Sequence, residues 1–333
     1  MLPNHMRQNL KSGLLVLLFI CLGLTFLTQP ALADVWDLQA KDSRKALPND
    51  ASKPARLIPK HQLTPIAPSE VGAIRRVNLT KPEPVVALTF DLCELATTTT
   101  GCDLGILGYL HKNHVPATLF MGGKWMRTHR ERTKLLLQDP LFEIANHAWT
   151  HGNCTRLSPQ GLKAQVLWTQ AQYELLREEV AANLQDSAAA KNLQPIPKLF
   201  RPPYARCNRQ NLELIAQLGL KVVLWDVVGE TGPISNASQA RNKAQALVKQ
   251  VKPGSIILLH ANLVPQGTAL LVQELVPMLQ AQGYKFLKVS DLLTLGTEVR
   301  VDDGYFSRPN DNARYDKDFG IDGTGLASPF TGQ

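Results

Sequence analysis

Low-complexity tracts are absent from this 333-residue chain, which excludes wholesale disorder. No basic stripe interleaved with aromatics accompanies the formal charge of +8, so nucleic acid is not an expected partner. A G-x-S-x-G turn is also missing, and a serine hydrolase of the usual α/β kind therefore lacks its nucleophile. Long apolar runs are confined to one place, Gly13 to Leu27 near the N-terminus.

Arg7 and Lys11 precede that run, and Ala31-Leu32-Ala33 follows it as an A-x-A cleavage site. This is the layout of a secretory signal peptide over residues 1–33. The run is short of the roughly 20 residues that a bilayer crossing requires, so cleavage after Ala33 and no stable membrane insertion are expected. Ile20 before Cys21, where a small residue would be required, argues against a lipoprotein signal. The expected location is exported, in the periplasm or at the cell surface. Removing residues 1–33 takes away two basic residues and no acidic one, which leaves a formal charge of +6. Cys93, Cys102, Cys154 and Cys207 remain, and in an oxidising compartment four cysteines suggest two disulfides with three possible connectivities. The pairing expected here is Cys93–Cys207 with Cys102–Cys154.

Residues 34–80 carry Pro54, Pro59, Pro65 and Pro68 without a sustained helical period, and read as an extended arm or linker. The main domain is expected over 81–299. Its strand candidates are Val85–Phe90, Ala117–Met121, Phe142–His147, Lys198–Arg201, Lys221–Asp226, Ser255–His260 and Lys285–Val289, each a brief apolar run. Helical patterns alternate with them, the clearest being Ser158–Glu179, with Ser158 as N-cap and Pro159 at the first helical position. Seven strands alternating with helices predict an α/β fold with a parallel sheet; periodicity leaves open sheet and barrel equally possible. Residues 300–333, rich in Asp, Asn, Gly and Arg, read as an irregular C-terminal tail.

Chemistry-bearing residues stand at the C-terminal ends of those strands: Asp91, His147 with His151 four residues on, Arg201, Asp226 and His260. Loops at that edge of a parallel sheet converge on one crevice. The spacing of His147 and His151 can put two imidazoles on one metal. A buried Asp91 requires a partner, for which Arg201 is suited. Asp226 and His260 make a second couple, in which the carboxylate would favour the protonated imidazole.

In order, Thr89-Phe90-Asp91, His147-x-x-x-His151, Arg201-Pro202-Pro203-Tyr204, Trp225-Asp226 and Leu259-His260 resemble the motifs of the polysaccharide deacetylases, the NodB-type or carbohydrate esterase family 4 enzymes. The likeness runs over about Pro84 to Leu295 and implies a distorted (β/α) barrel of about seven parallel strands. More narrowly, Thr89-Phe90-Asp91-Leu92-Cys93-Glu94, the stretch Trp168 to Glu174 and the Arg-Tyr-Asp near Tyr315 resemble a bacterial subgroup of the family. The resemblance implies an enzyme that removes N-acetyl groups from a glycan. His147 and His151 would hold a divalent metal, zinc by preference, and Asp91 would be the general base oriented by Arg201. The backbone N–H of Tyr204 would stabilise the oxyanion. His260 would be the general acid supported by Asp226, with Trp225 and Leu259 walling the acetyl pocket.

One position departs from the family pattern. The second aspartate of the usual Asp-Asp pair, a metal ligand, is Leu92 here. Either Glu94 replaces it, or Asp91 itself contacts the metal, or the metal is weak or absent; a retained metal is the expectation. The alternatives to a glycan deacetylase are a metal-independent amidase of the same fold and a non-catalytic glycan-binding protein. Trp125, Trp149 and Tyr204 are candidates for stacking on sugars, the two tryptophans equally for the core. With 6% aromatics, no dedicated carbohydrate surface is evident.

Overall fold

A computed structural model describes residues 47–81, 83–184, 190 and 192–318. The signal segment expected over 1–33 lies outside them. Among the described residues, no helix is long and apolar enough to cross a membrane.

Ten strands form a curled α/β sheet: β1 (Ala73–Leu79), β2 (Val85–Leu92), β3 (Ala117–Met121), β4 (Phe142–Asn146), β5 (Leu199–Phe200), β6 (Lys221–Val223), β7 (Val227–Val228), β8 (Ile256–His260), β9 (Lys285–Phe286) and β10 (Gly296–Val301). Their order is β10-β1-β6-β5-β4-β3-β2-β8-β7, with β9 on β2. The strand pairs are parallel except β1 with β10. The curl brings β1 round to the start of β8, where Val77 N donates to Gly254 O and Arg76 bridges Ser255. The result is the distorted (β/α) barrel.

The seven expected strands all occur, most of them one or more residues shorter or longer at an end. Three were not anticipated: β1, β7 and β10. β1 falls inside the supposed arm because Arg75 and Arg76 interrupt its apolar pattern. The buried Arg75 is satisfied by the carbonyls of Tyr305 and Phe306, each at 2.7 Å. Among the described residues, those before β1 are fastened to the barrel. The buried carboxylate of Glu174 accepts from Lys60 N at 2.6 Å, His61 N at 2.8 Å and Arg56 at 2.9 Å. Gly219 lets the arm lie close: at φ +80°, an added Cβ there would stand 2.4 Å from Leu63 Cβ.

Helices α1 (Leu104–Lys112), α2 (Gly123–Thr128), α3 (Arg130–Gln138), α4 (Pro159–Asn183), α5 (Arg209–Gln217), α6 (Ala237–Val248) and α7 (Thr268–Ala281) surround the sheet. Ser158 caps α4 by accepting from Gly161 N, with Pro159 at the first position. Strand alternation divides the core in two. On β2, Val86, Leu88, Phe90 and Leu92 join the cluster containing Ile106 and Leu107 of α1 and Leu271 and Leu275 of α7. Val85 and Ala87 join the opposite cluster with Phe120, Phe200, Trp225 and Leu258. Trp125 and Trp149 are fully buried, and so belong to the core rather than to a sugar platform.

The four described cysteines are free thiols. The expected Cys102–Cys154 bond is not formed, since Cys102 and Cys154 belong to separate core clusters. Nor is Cys93–Cys207: Cys154 lies within electrostatic reach of Cys207, and Cys93 is beside the two histidines.

Candidate active site

β2 delivers Asp91 to the C-terminal edge of the sheet, where it is in register with His260 of the adjacent parallel strand β8. Arg201, fully buried, donates from Nη1 to Asp91 Oδ1 at 2.8 Å. Its remaining donors reach the carbonyls of Val223 and Leu224, and its guanidinium lies over the Phe120 ring at 3.8 Å. Burial alone would push the Asp91 carboxyl up, but the charges of Arg201, His147 and His260 outweigh it and hold Asp91 below the usual carboxylate range. Asp91 thus favours the ionised form, with one oxygen, Oδ2, turned to His147 Nε2 at 3.4 Å.

The histidine loop is held by amides. Asn146 accepts from Ala148 N and donates to Val166 O and Gln170; Gln165 of α4 accepts from Trp149 N and Thr150 N. Ala148, His151, Tyr204 and Ala205 all take left-handed backbone conformations with φ between 51° and 63°. Such conformations persist in non-glycine residues only where surroundings impose them, and they gather at functional sites. The His147 and His151 rings come within 4.9 Å, and His151 packs on Tyr204 at 4.4 Å. Burial pulls both imidazoles down, His151 well below its ordinary value, which favours the neutral form that can ligate.

A metal fits this loop on the donors themselves. His147 Nδ1 is taken by the carbonyl of Arg201 at 2.8 Å, so this nitrogen carries the proton. Nε2 of the same ring is buried without a hydrogen-bond partner. Potential ligand atoms of Cys93, His147 and His151 lie within 4.8 Å of one another. Glu94, the carboxylate expected to complete the set, is elsewhere. Its oxygens accept from Lys124 Nζ at 2.8 Å, Thr128 Oγ1 at 2.7 Å and Thr100 N at 3.0 Å, in a pocket where Lys124 is fully buried. The residues after Leu92 leave the strand, and Cys93 rather than Glu94 faces the histidines.

Asp226 does not support His260. Its oxygens accept from Ser255 Oγ at 2.8 Å and Ile256 N at 2.9 Å, at the opposite end of β8. Strand register explains the correction. β7 pairs Val227 with Ile257 and Val228 with Leu258, an offset of 30 residues that sets Asp226 beside residue 256 and Glu230 beside residue 260. Glu230 Oε1 accordingly accepts from His260 N at 2.7 Å and sits 3.1 Å from His260 Nδ1. Burial depresses the His260 imidazolium, but the hydrogen bond and charge of Glu230, with the charge of Asp91, outweigh it and raise His260 above its ordinary value.

Leu259 also faces away from the site. It packs in the cluster under the helices, whereas Leu258, on the same side of β8 as His260, lines the cleft. The cleft, of about 550 Å³, is bordered by Asp91, His151, His260, Trp225 and Tyr204, and by a tail segment that sequence reading left unassigned. That segment places Phe306 against Trp225 at 5.4 Å and Tyr315 against Tyr204 at 5.3 Å. It is anchored by the Arg206–Asp316 ion pair and by buried Asn312, which donates to Tyr204 O and Gly304 O. The Arg-Tyr-Asp near Tyr315 was the only sign of it in the sequence.

Known proteins resemble the chain in the same region. The profile of the polysaccharide deacetylase family matches residues 78–223. The peptidoglycan-N-acetylglucosamine deacetylase PgdA of Listeria monocytogenes is 27% identical over 241 residues, which are 72% of this chain and 45% of that one. The chain therefore spans about half the length of that relative. A solved peptidoglycan N-acetylglucosamine deacetylase superposes with a TM-score of 0.52 at 21% identity, over 68% of this chain and 94% of the other. A family 4 pseudoenzyme from Bacillus anthracis superposes at 0.51 with 22% identity, over 70% and 72%. These two likenesses show a shared barrel. The profile match ends at residue 223, and β8 with His260 continues the same barrel beyond it.

Proposed function

We propose that this chain is an exported hydrolase that removes N-acetyl groups from a cell-envelope glycan, cleaving the amide C–N bond. The observation that carries this reading is the pairing of Asp91 with His260. A carboxylate held below its ordinary value and an imidazole held above its own lie side by side on β2 and β8, at the mouth of one aromatic-lined cleft. Amide hydrolysis needs such a pair, a base for the attacking water and an acid for the departing amine.

Asp91 takes the proton from water, while Arg201 fixes its carboxylate and keeps it charged. His260 gives its proton to the amine nitrogen as the C–N bond breaks, with Glu230 holding the imidazolium in place. The left-handed turn at Tyr204 is the candidate source of a backbone N–H for the oxyanion, a donor worth on the order of 3 kcal/mol. Trp225, Tyr204 and the tail aromatics Phe306 and Tyr315 exclude water and offer faces to sugar rings. A divalent cation, zinc by preference, held by His147 and His151 would supply Lewis-acid activation of the acetyl carbonyl and of water. Relatives named for peptidoglycan deacetylation support a peptidoglycan-like substrate, and the leader over residues 1–33 supports export to the periplasm or cell surface.

Metal content and acetate release from N-acetylated glycans, with and without chelator, test the reading. Chelator-sensitive release of acetate is the expected result; glycan binding with no acetate released would reject it. Leu92 favours that second outcome, a glycan-binding protein, because an apolar residue stands where the family's metal carboxylate does.

A further inference from the structure

We infer that Cys93 is the third protein ligand of the metal centre, as a thiolate, making a site of one cysteine and two histidines selective for thiophilic cations such as zinc. The inference rests on the metal-assisted reading above and says which ligand replaces the missing carboxylate. Three independent features meet at this point. The Cys93 Sγ and the ligating nitrogens of His147 and His151 lie within 4.8 Å of one another, close enough to surround one ion. His147 Nε2 is buried, without a hydrogen bond and left with its lone pair, because Nδ1 is committed to the Arg201 carbonyl. Asn262 donates to Cys93 O at 3.0 Å and approaches Cys93 Sγ at 3.6 Å, a contact that fixes the loop and offers a negative sulfur an N–H.

Glu94 cannot serve as the third ligand, and Asp91 has only Oδ2 left to offer, 3.4 Å from His147 Nε2. Glu94 is saturated by Lys124, Thr128 and Thr100, and Asp91 is bound to Arg201 through one oxygen. On binding, the Cys93 S–H bond breaks as the sulfur–metal bond forms, and the proton leaves to solvent. Sulfur with two imidazoles favours zinc or cobalt and disfavours magnesium and calcium, which require oxygen ligands. A carboxylate site of the usual family kind would discriminate less against the hard ions.

Cobalt(II) reports the ligand directly, apart from catalysis. The full chain is stripped with chelator, reloaded with one equivalent of cobalt and read by near-ultraviolet absorption. A thiolate-to-cobalt charge-transfer band is expected in the wild type and lost in Cys93→Asp, which keeps a carboxylate ligand and still binds cobalt. Thiol titration should find one fewer reactive thiol in the loaded protein than in the stripped one. Cobalt bound without the band, or a band that persists in Cys93→Asp, would overturn the inference, as would failure of the wild type to bind cobalt. Acetate release that depends on a metal showing no sulfur band would leave the deacetylase reading intact and remove Cys93. A sulfur band with no acetate released from any glycan would do the reverse.

Discussion

Asp91 and Glu94 are buried carboxylates three residues apart, each with a cation at 2.8 Å, yet the surroundings assign them opposite roles. Glu94 has its oxygens filled by Lys124, Thr128 and Thr100, and Lys124 spends a further donor on Thr98 O. That cluster is closed, and Glu94 does not line the cleft that Asp91 borders. Asp91 gives one oxygen to Arg201 and keeps the other toward His147 and the cavity. Burial with a counter-ion therefore marks a structural pair as readily as a reacting one. What separates them is an unfilled direction facing a space that substrate can enter.

Substitution at each carboxylate breaks or sharpens that contrast. Asp91→Asn is expected to lower kcat/KM for acetate release by about 10²–10⁴-fold, the usual worth of a general base; a loss under tenfold would remove Asp91 from that role. Glu94→Gln should instead destabilise the fold by about 3–5 kcal/mol, as breaking a buried ion pair does, with metal stoichiometry and kcat of the folded fraction unchanged. Chemical denaturation beside metal analysis reads both, and lost metal would return Glu94 to the ligand set.

The two faces of β8 provide a parallel test. Leu259→Ala should cost about 2–5 kcal/mol of stability and leave KM alone, because its side chain is under the helices. Leu258→Ala should raise KM as well, being at the cleft. Similar kinetics for the two variants would contradict the assigned faces.

The smallest expected effect is a displacement of the pH profile. His260 is held above its ordinary value by Glu230, so activity should persist on the alkaline side until that proton is lost. Glu230→Gln removes the negative charge, lowers the His260 value and moves the alkaline limb of kcat to lower pH. Asp226→Asn, whose side chain lies at the other end of β8, should leave that limb in place. A shift with Asp226→Asn and none with Glu230→Gln would reverse the assignment.

Periodicity made seven strands legible because each reads as a short apolar run, the central β2 and β3 being buried on both faces. β7 escaped notice at two residues, and with it went the register that places Glu230. β1 was hidden by Arg75 and Arg76; the charge of Arg75 is masked by tail carbonyls more than 200 residues away in sequence. Asp91, His147, His151, Arg201 and His260 could be singled out because each ends or closely follows an apolar strand, a position defined by local pattern.

By itself the sequence determined seven of the strands, the helices between them and the chemical types at one edge, since these follow from short-range alternation. Only the tertiary structure decided which of those groups meet. Pairing across strands depends on register, and a shift of four residues exchanges Asp226 for Glu230 at His260. Beyond a strand's end the turn of the backbone decides which side chain faces the site. There Cys93 reaches the histidines while Glu94, one residue on, closes around Lys124.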